Sequence, residues 1–448
     1  MLNDKLSGHF EIFKKSCGIY IVAFCITAIV AKGFDYVCQL YYLIVPILFC
    51  VILSELISKS KLKRKYPVTI YFMPFVICIL LSSIWSIHPE ITLKRSLYFL
   101  FLVIGMESLS DFYQKGTGSI AKVFMPAIVI VVSISIFSFI VKIPADYWNG
   151  GNGLGLKGFA KHQNTLSSIL LICLSIMNLK LAEGFKLRKD PARLLAMIIF
   201  GNLATLIILL LTFSRGAILS YLVFLFSFMI LFVGFNKTIQ ITFIGAIIFF
   251  ILLCFPSIKK YKDYSLTKGA PSVFSSRSEL YKISFNAALD GWRIGVGYGM
   301  SNPKYVDNSF TCWIDSACFR EKGSTILALV EEVGFVGAIL FYIPIIIVLY
   351  RIARRPIFRH LPGPICETRV SNGISRQTWG TGKESEDAAT AFSLTEKDKT
   401  EAKFLFAVLI AMIVHSQFEA WGTGVGSLSL PIFLFFLSKG KKVTGVGM

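Results

Sequence analysis

The sequence lacks the usual furniture of nucleotide and metal chemistry. No Walker-type phosphate loop occurs, so ATP-driven chemistry is not expected. No DxD pair and no His/Cys cluster lies where a metal could be held outside the membrane, so neither metal nor nucleotide cofactor is expected. Acidic residues are scarce, 26 against 46 Lys and Arg, and charged residues make up only 16% of the chain. No repeat of about 20–50 residues is visible, which argues against solenoids and arrays. No cleavable signal peptide is expected, because the apolar run 17–31 has no small-residue cleavage site after it and leads into another apolar run.

What the chain has instead is apolar length. Of its 448 residues 55% are hydrophobic and 14% aromatic, with a mean hydropathy of +0.67. A soluble protein is about 45–50% apolar and does not carry repeated runs of about 20 apolar residues. The fold class expected is an all-α polytopic membrane protein; β-barrel strands would alternate apolar and polar rather than run apolar. About twelve transmembrane helices are read, at 16–32, 36–57, 67–86, 93–108, 119–142, 165–183, 193–213, 215–234, 238–255, 324–350, 402–419 and 424–438.

The net charge of +20 suggests nucleic acid at first sight. The basic residues, however, fall in short connectors: KSKLKRK (59–65), FKLRKDPAR (185–193), FNK (235–237), RIARRPIFRH (351–360) and KGKK (439–442). If Lys14 and Lys15 precede the first span on the inside, all these clusters land on one side. The positive-inside rule then places both termini in the cytoplasm, with membrane lipids rather than nucleic acid as the partner. The organisation expected is spans one to nine over 1–255, a large outer loop over 256–322, span ten over 323–350, a flexible polar cytoplasmic insert over 351–401, and spans eleven and twelve with a basic tail over 402–448.

The chemistry is expected on the outer face, in the 256–322 loop and the helix ends around it. Arg215 follows Ser214 at the start of one span, and Arg277 opens SSRSELYKISFNAAL, where Ser276 and Glu279 make a capping-box pattern. An arginine in a first turn opposes the helix dipole. A bound anion reverses the sign, since backbone N–H groups, dipole and guanidinium then act together. Two such ends suit a diphosphate; snorkelling of Arg215 and a solvated Arg277 form the plainer alternative. Candidate bases are Glu331 and Glu332, about two turns into STILALVEEVGFVGAILFY where a carboxylate needs a partner, and His415, placed i, i+4 from Glu419 in HSQFEA. His162 in KHQN is a further candidate; for each of these the alternative is a structural ion pair or hydrogen bond. Lys94 and Arg95 in HPEITLKR, Lys161 and His162, Arg293, Ser324, Glu331 and Glu419 complete a candidate substrate-binding set. Cys312 and Cys318, six apart in the polar loop, are a disulfide candidate if that loop meets an oxidising compartment. GVGYG (295–299) has the wrong spacing for a nucleotide loop and reads as a turn.

Taken in order, WSIHPEITLKR, GFAKHQN, LTFSRGA, SSRSELY…GWRIGVGYG, LALVEEVGFVGA and HSQFEA resemble the O-antigen ligase and polymerase superfamily, the Wzy_C or WaaL-like family. The resemblance covers most of the chain beyond residue 85. It implies a GT-C-like inner-membrane glycosyltransferase of bacteria. Such an enzyme moves a glycan from undecaprenyl diphosphate to an acceptor glycan, or to lipid A-core, at the periplasmic face without metal or nucleotide. Other polysaccharide-assembly proteins are then possible partners. Family arginines that hold the diphosphate match Arg215 and Arg277, with Arg293 as rival for the second. Family ligases carry His, then Asn, Ser or Gln, then nine residues, then GxxG. Ser324, Gly334 and Gly337 fit that frame, but Gly323 stands at the histidine position. The departure leaves His415 or Glu332 as base, or a polymerase with a different acceptor arrangement, and tips the reading toward polymerase over ligase. From other classes, a transporter or flippase of lipid-linked sugars and a membrane scaffold remain open, although no repeats or interrupted helices are read.

Overall fold

A computed structural model describes residues 21–30, 44–58, 67–114, 119–142, 155–160, 162–187, 192–253, 275–306, 311–314, 317–320, 322–354, 396–419 and 429–443. Thirteen helices are used here: α1 (Ile21–Val30), α2 (Ile44–Ser58), α3 (Pro67–Leu81), α4 (Pro89–Gln114), α5 (Ile120–Val141), α6 (Gln163–Leu187), α7 (Ala192–Leu211), α8 (Arg215–Val233), α9 (Phe235–Leu253), α10 (Ser275–Gly291), α11 (Thr325–Ala353), α12 (Glu396–Ser416) and α13 (Ser429–Val443). A helix overlaps each of the twelve apolar ranges, and α10 is extra. Among the described residues four helices, at Ile120–Val141, Gln163–Gly184, Arg215–Val233 and Thr325–Ala353, are long and apolar enough to cross a membrane. Most of the insert after residue 360 lies outside the described residues.

The loop between α10 and α11 is not made of helix alone. It holds a two-stranded antiparallel hairpin, β1 (Thr311–Ile314) with β2 (Ala317–Arg320). TCWI and ACFR are short runs rich in residues that suit strands. The ladder pairs Cys312 with Phe319 and Cys318 with Trp313, so the two cysteines are not set opposite each other.

Helix starts at one end of the bundle are capped by carboxylates borrowed from neighbours. Glu107 of α4 accepts from Val68 N (3.3 Å), Thr69 N (2.8 Å) and Thr69 Oγ1 (2.6 Å), the orphan donors of the first turn of α3. At the start of α5, Ser119 caps Ala121 N and donates to Glu183, while Ile120 N donates to Glu401 at 3.3 Å. Negative charge at a helix N-terminus is favourable, more so where no water competes. An aromatic cluster holds the centre: Phe75 lies edge-on to Phe99 (5.3 Å), Phe341 (5.2 Å) and Tyr298 (6.1 Å).

The helix α11, read from sequence as one span, is interrupted. Gly334 has φ 73° and ψ 177°, outside helical values. In an unbroken helix Phe335 N–H would donate to the Glu331 carbonyl. Instead Phe335 N donates to Trp292 O (2.8 Å), while the carbonyls of Glu331 and Glu332 accept from Val296 N (3.0 Å) and Gly297 N (2.9 Å). The GWRIGVG stretch thus replaces the missing turn, and every freed group named here is paired. Both approaches need glycine. A Cβ at Gly334 would stand 2.4 Å from Arg293 O, and one at Gly295 2.2 Å from the Glu332 carbonyl carbon. The expectation of uninterrupted helices is therefore corrected: the side-chain pattern is continuous across Gly334, but the backbone is not.

Candidate functional site

The C-terminal end of α12 is where the candidate residues meet. The helix stops at Ser416, so Glu419 sits in the turn beyond it rather than on a helical face, although its N–H still reaches His415 O at 3.1 Å. Gln417 is the hub. Its Oε1 accepts from Ser324 Oγ (3.0 Å) at the start of α11, its carbonyl accepts from Tyr281 OH (2.9 Å) on α10, and its Nε2 donates to Ser416 Oγ (2.9 Å) and Tyr342 OH (3.3 Å). The next residue, Phe418, lies against α8: a Cβ at Gly216 would stand 2.6 Å from Phe418 Cβ. Arg215, the first residue of α8 after the Ser214 N-cap, is therefore held beside the α12 end.

The start of α6 closes the same region. His162 Nδ1 accepts from Asn164 N (3.2 Å), capping that helix. Ser168, further along α6, stands 3.4 Å from Nε2 of the buried His415. Leu156 N donates to Leu211 O (2.9 Å), tying the segment before α6 to the turn that launches Arg215. Gln163, fully buried, has neither amide atom paired among the described residues. The N-termini of α6, α8 and α11 thus gather around His415 and Gln417, and helix N-termini favour anions.

Arg277 lies in the first turn of α10, one turn before Tyr281; its side chain is outside the described residues. Its rival Arg293 follows the other end of that 17-residue helix, about 25 Å away at about 1.5 Å per residue. Arg293 is exposed, its guanidinium 5.2 Å from the Trp292 ring centre. Of the two, only Arg277 is on the end of α10 that reaches Gln417. Lys161 also lies outside the described residues, and Lys94 is exposed on α4.

Glu331, Glu332 and Arg95 belong to a second, buried cluster. Lys322 Nζ donates to Glu332 Oε1 (2.6 Å) and Met300 O (2.6 Å) and lies 3.8 Å from Glu331 Oε2. Gly299 N donates to Glu332 Oε2 (2.8 Å), Asn302 N to Glu331 Oε1 (2.8 Å), and Arg95 Nη1 to Gly299 O. Tyr298 N reaches Ser82 Oγ (3.1 Å) and Tyr298 O accepts from Thr92 (3.2 Å). Glu331 is 0% exposed and Glu332 2%. Both carboxylates therefore grip the GVGYGMSN backbone, and both Glu332 oxygens are engaged. The partner that sequence reasoning demanded for them is Lys322, which it did not name. Nearby on the surface, Asp290 accepts from Lys304 (2.9 Å) and Tyr305 (2.8 Å); these bonds hold its carboxyl below the ordinary 3.8 and raise the Lys304 ammonium in return.

Gly323, where the family histidine is missing, faces Tyr281: a Cβ there would meet its ring carbons at 3.2 Å. Sequence reasoning passed over Tyr281, Gln417 and Gln163, although SELY, HSQFEA and KHQN all contain them. Their spacing carries no signal; only the packing of α10 and α6 against α12 does.

No curated protein matches the chain. The helices are those of a multi-pass membrane protein, and the model described as O-Antigen ligase matches residues 200–342, the stretch holding Arg215, Arg277 and the Glu331–Glu332 cluster, which bears out the resemblance to the O-antigen ligase and polymerase superfamily.

Proposed function

We propose that this chain is an inner-membrane glycosyltransferase that moves a glycan from undecaprenyl diphosphate to a sugar hydroxyl at the periplasmic face. The observation that carries this reading is the meeting of the α8 start, led by Arg215, and the Arg277 end of α10 at the α12 terminus that bears His415. In the reaction the acceptor hydroxyl attacks the anomeric carbon and the carbon–oxygen bond to the diphosphate breaks. The diphosphate leaves with the electron pair, into the field of Arg215, Arg277 and the first-turn N–H groups of α8. His415 takes the hydroxyl proton at a ring nitrogen. His415 suits that role better than Glu332, whose oxygens are taken by Lys322 and Gly299. Bond chemistry of this kind calls on no metal or nucleotide.

Polymerase is preferred over ligase because Tyr281 fills the space beside Gly323. Transfer to lipid A-core is the second reading, favoured by the family match. The interruption of α11 is a feature of transporters, but its freed groups are tied to residues 292–297 rather than lining a path.

The test is a gel of surface and carrier-linked glycan from a deletion strain, complemented with wild type or Arg215→Ala. Single repeats on the acceptor identify a polymerase, and long chains stranded on the carrier a ligase. Arg215→Ala is expected to lose about 100–1,000-fold in transfer rate. Full rescue by that variant overturns the diphosphate site.

A further inference from the structure

The helix α10 crosses the end of the bundle rather than extending it. Near its start Tyr281 meets the terminus of α12, and just beyond its other end Ile294 O accepts from Trp85 Nε1 (3.1 Å) in the α3–α4 connector. Both are helix ends on the same side of the bundle. One face of α10 is buried against α11, through Leu280, Ser284, Ala287 and Ala288. On another face Phe285 (53% exposed) and Leu289 (54%) stand one turn apart, and Trp292 (53%), one residue past the helix end, follows at i+7. A soluble loop domain has no reason to present these side chains together to water.

The strip is continuous with surface that belongs in lipid. Phe335 and Val336, exposed at the start of the second half of α11, adjoin Trp292 through the Phe335 N to Trp292 O bond. Gly334 to Ala353 is about the 20 residues that a bilayer core requires, so Phe335 marks its upper edge. Trp85 and Trp292, with Arg293 stacked on the latter, supply the aromatic and cationic groups that sit at headgroup level.

We infer that α10 is an interfacial helix, its Phe285–Leu289–Trp292 edge sunk into the acyl boundary of the bilayer at this end of the bundle. The partner is the lipid surface itself. The inference rests on the chain spanning a membrane and not on the reaction proposed above, although it would hold the Arg277 end of α10 at the depth of a lipid diphosphate.

The test reconstitutes the full chain in phosphatidylethanolamine–phosphatidylglycerol vesicles with and without bromine on the acyl chains. Emission of Trp292 is obtained as the difference between wild type and Trp292→Phe. Blue-shifted Trp292 emission that bromine quenches is the expected result, with quenching reduced in the Phe285→Gln/Leu289→Gln variant. Trp292 emission that bromolipid leaves untouched, but aqueous iodide quenches, overturns the inference. Shielding from both quenchers that disappears as protein is diluted into more lipid overturns it too, by assigning the edge to a second copy of the chain. A glycan phenotype is irrelevant to all three outcomes, so the two proposals fail separately.

Discussion

Replacing Lys322 with Met removes the cation that two buried carboxylates share while keeping the length of its stem. In the native protein its ammonium lies 2.6 Å from Glu332 Oε1 and 3.8 Å from Glu331 Oε2, with a 7% exposed side chain. Breaking a buried pair by removing one partner typically costs about 3–5 kcal/mol, because the remaining charge has lost its compensation. Here Arg95 and the N–H groups of Gly299 and Asn302 stay in place, which puts the expected loss near the lower end, about 3 kcal/mol. Glu332→Gln keeps one acceptor oxygen, for either Lys322 or Gly299 N, and turns its NH2 toward the other donor, so it too is expected to cost stability. If the two side chains act as one unit, the double variant falls short of the sum by about 1–3 kcal/mol. Thermal unfolding in detergent, followed by tryptophan emission, checks both, since Trp292 precedes the anchored segment and Trp85 of the α3–α4 connector is bonded to Ile294 O beside it. A Lys322→Met protein as stable as wild type refutes the anchoring role. Loss of glycan transfer by Glu332→Gln at unchanged stability refutes it differently, by making Glu332 the base.

Two further outcomes are expected. Gly323→His, which restores the family residue, pushes on a Tyr281 ring already at 3.2 Å from the new Cβ and breaks its bond to Gln417 O; overpacking typically costs about 1–3 kcal/mol, read as a lower unfolding midpoint that Gly323→His/Tyr281→Ala recovers. Asp290, whose carboxyl is held below 3.8 in the folded chain, contributes stability that is full above that ordinary value and lost as pH falls through the lower folded one; the midpoint difference between wild type and Asp290→Asn is therefore flat at neutral pH and shrinks in acid, and a difference that grows in acid contradicts the assignment.

The sequence by itself determined the helical membrane body, because apolar runs of bilayer length can satisfy their backbone only as helices. Arg215 and Arg277 were legible as helix-opening arginines because a first-turn cation conflicts with the helix dipole. Tertiary structure alone decided which end of α10, the one that holds Arg277 or the one that Arg293 follows, meets the α12 end, since only the direction of α10 separates them. It alone gave Glu331 and Glu332 to the GVGYGMSN backbone and supplied Lys322, ten residues from Glu332 in sequence, as their counter-charge. And it alone interrupted α11, because the hydrogen bonds that replace the missing turn come from residues 292–297, which no helical periodicity in α11 could announce.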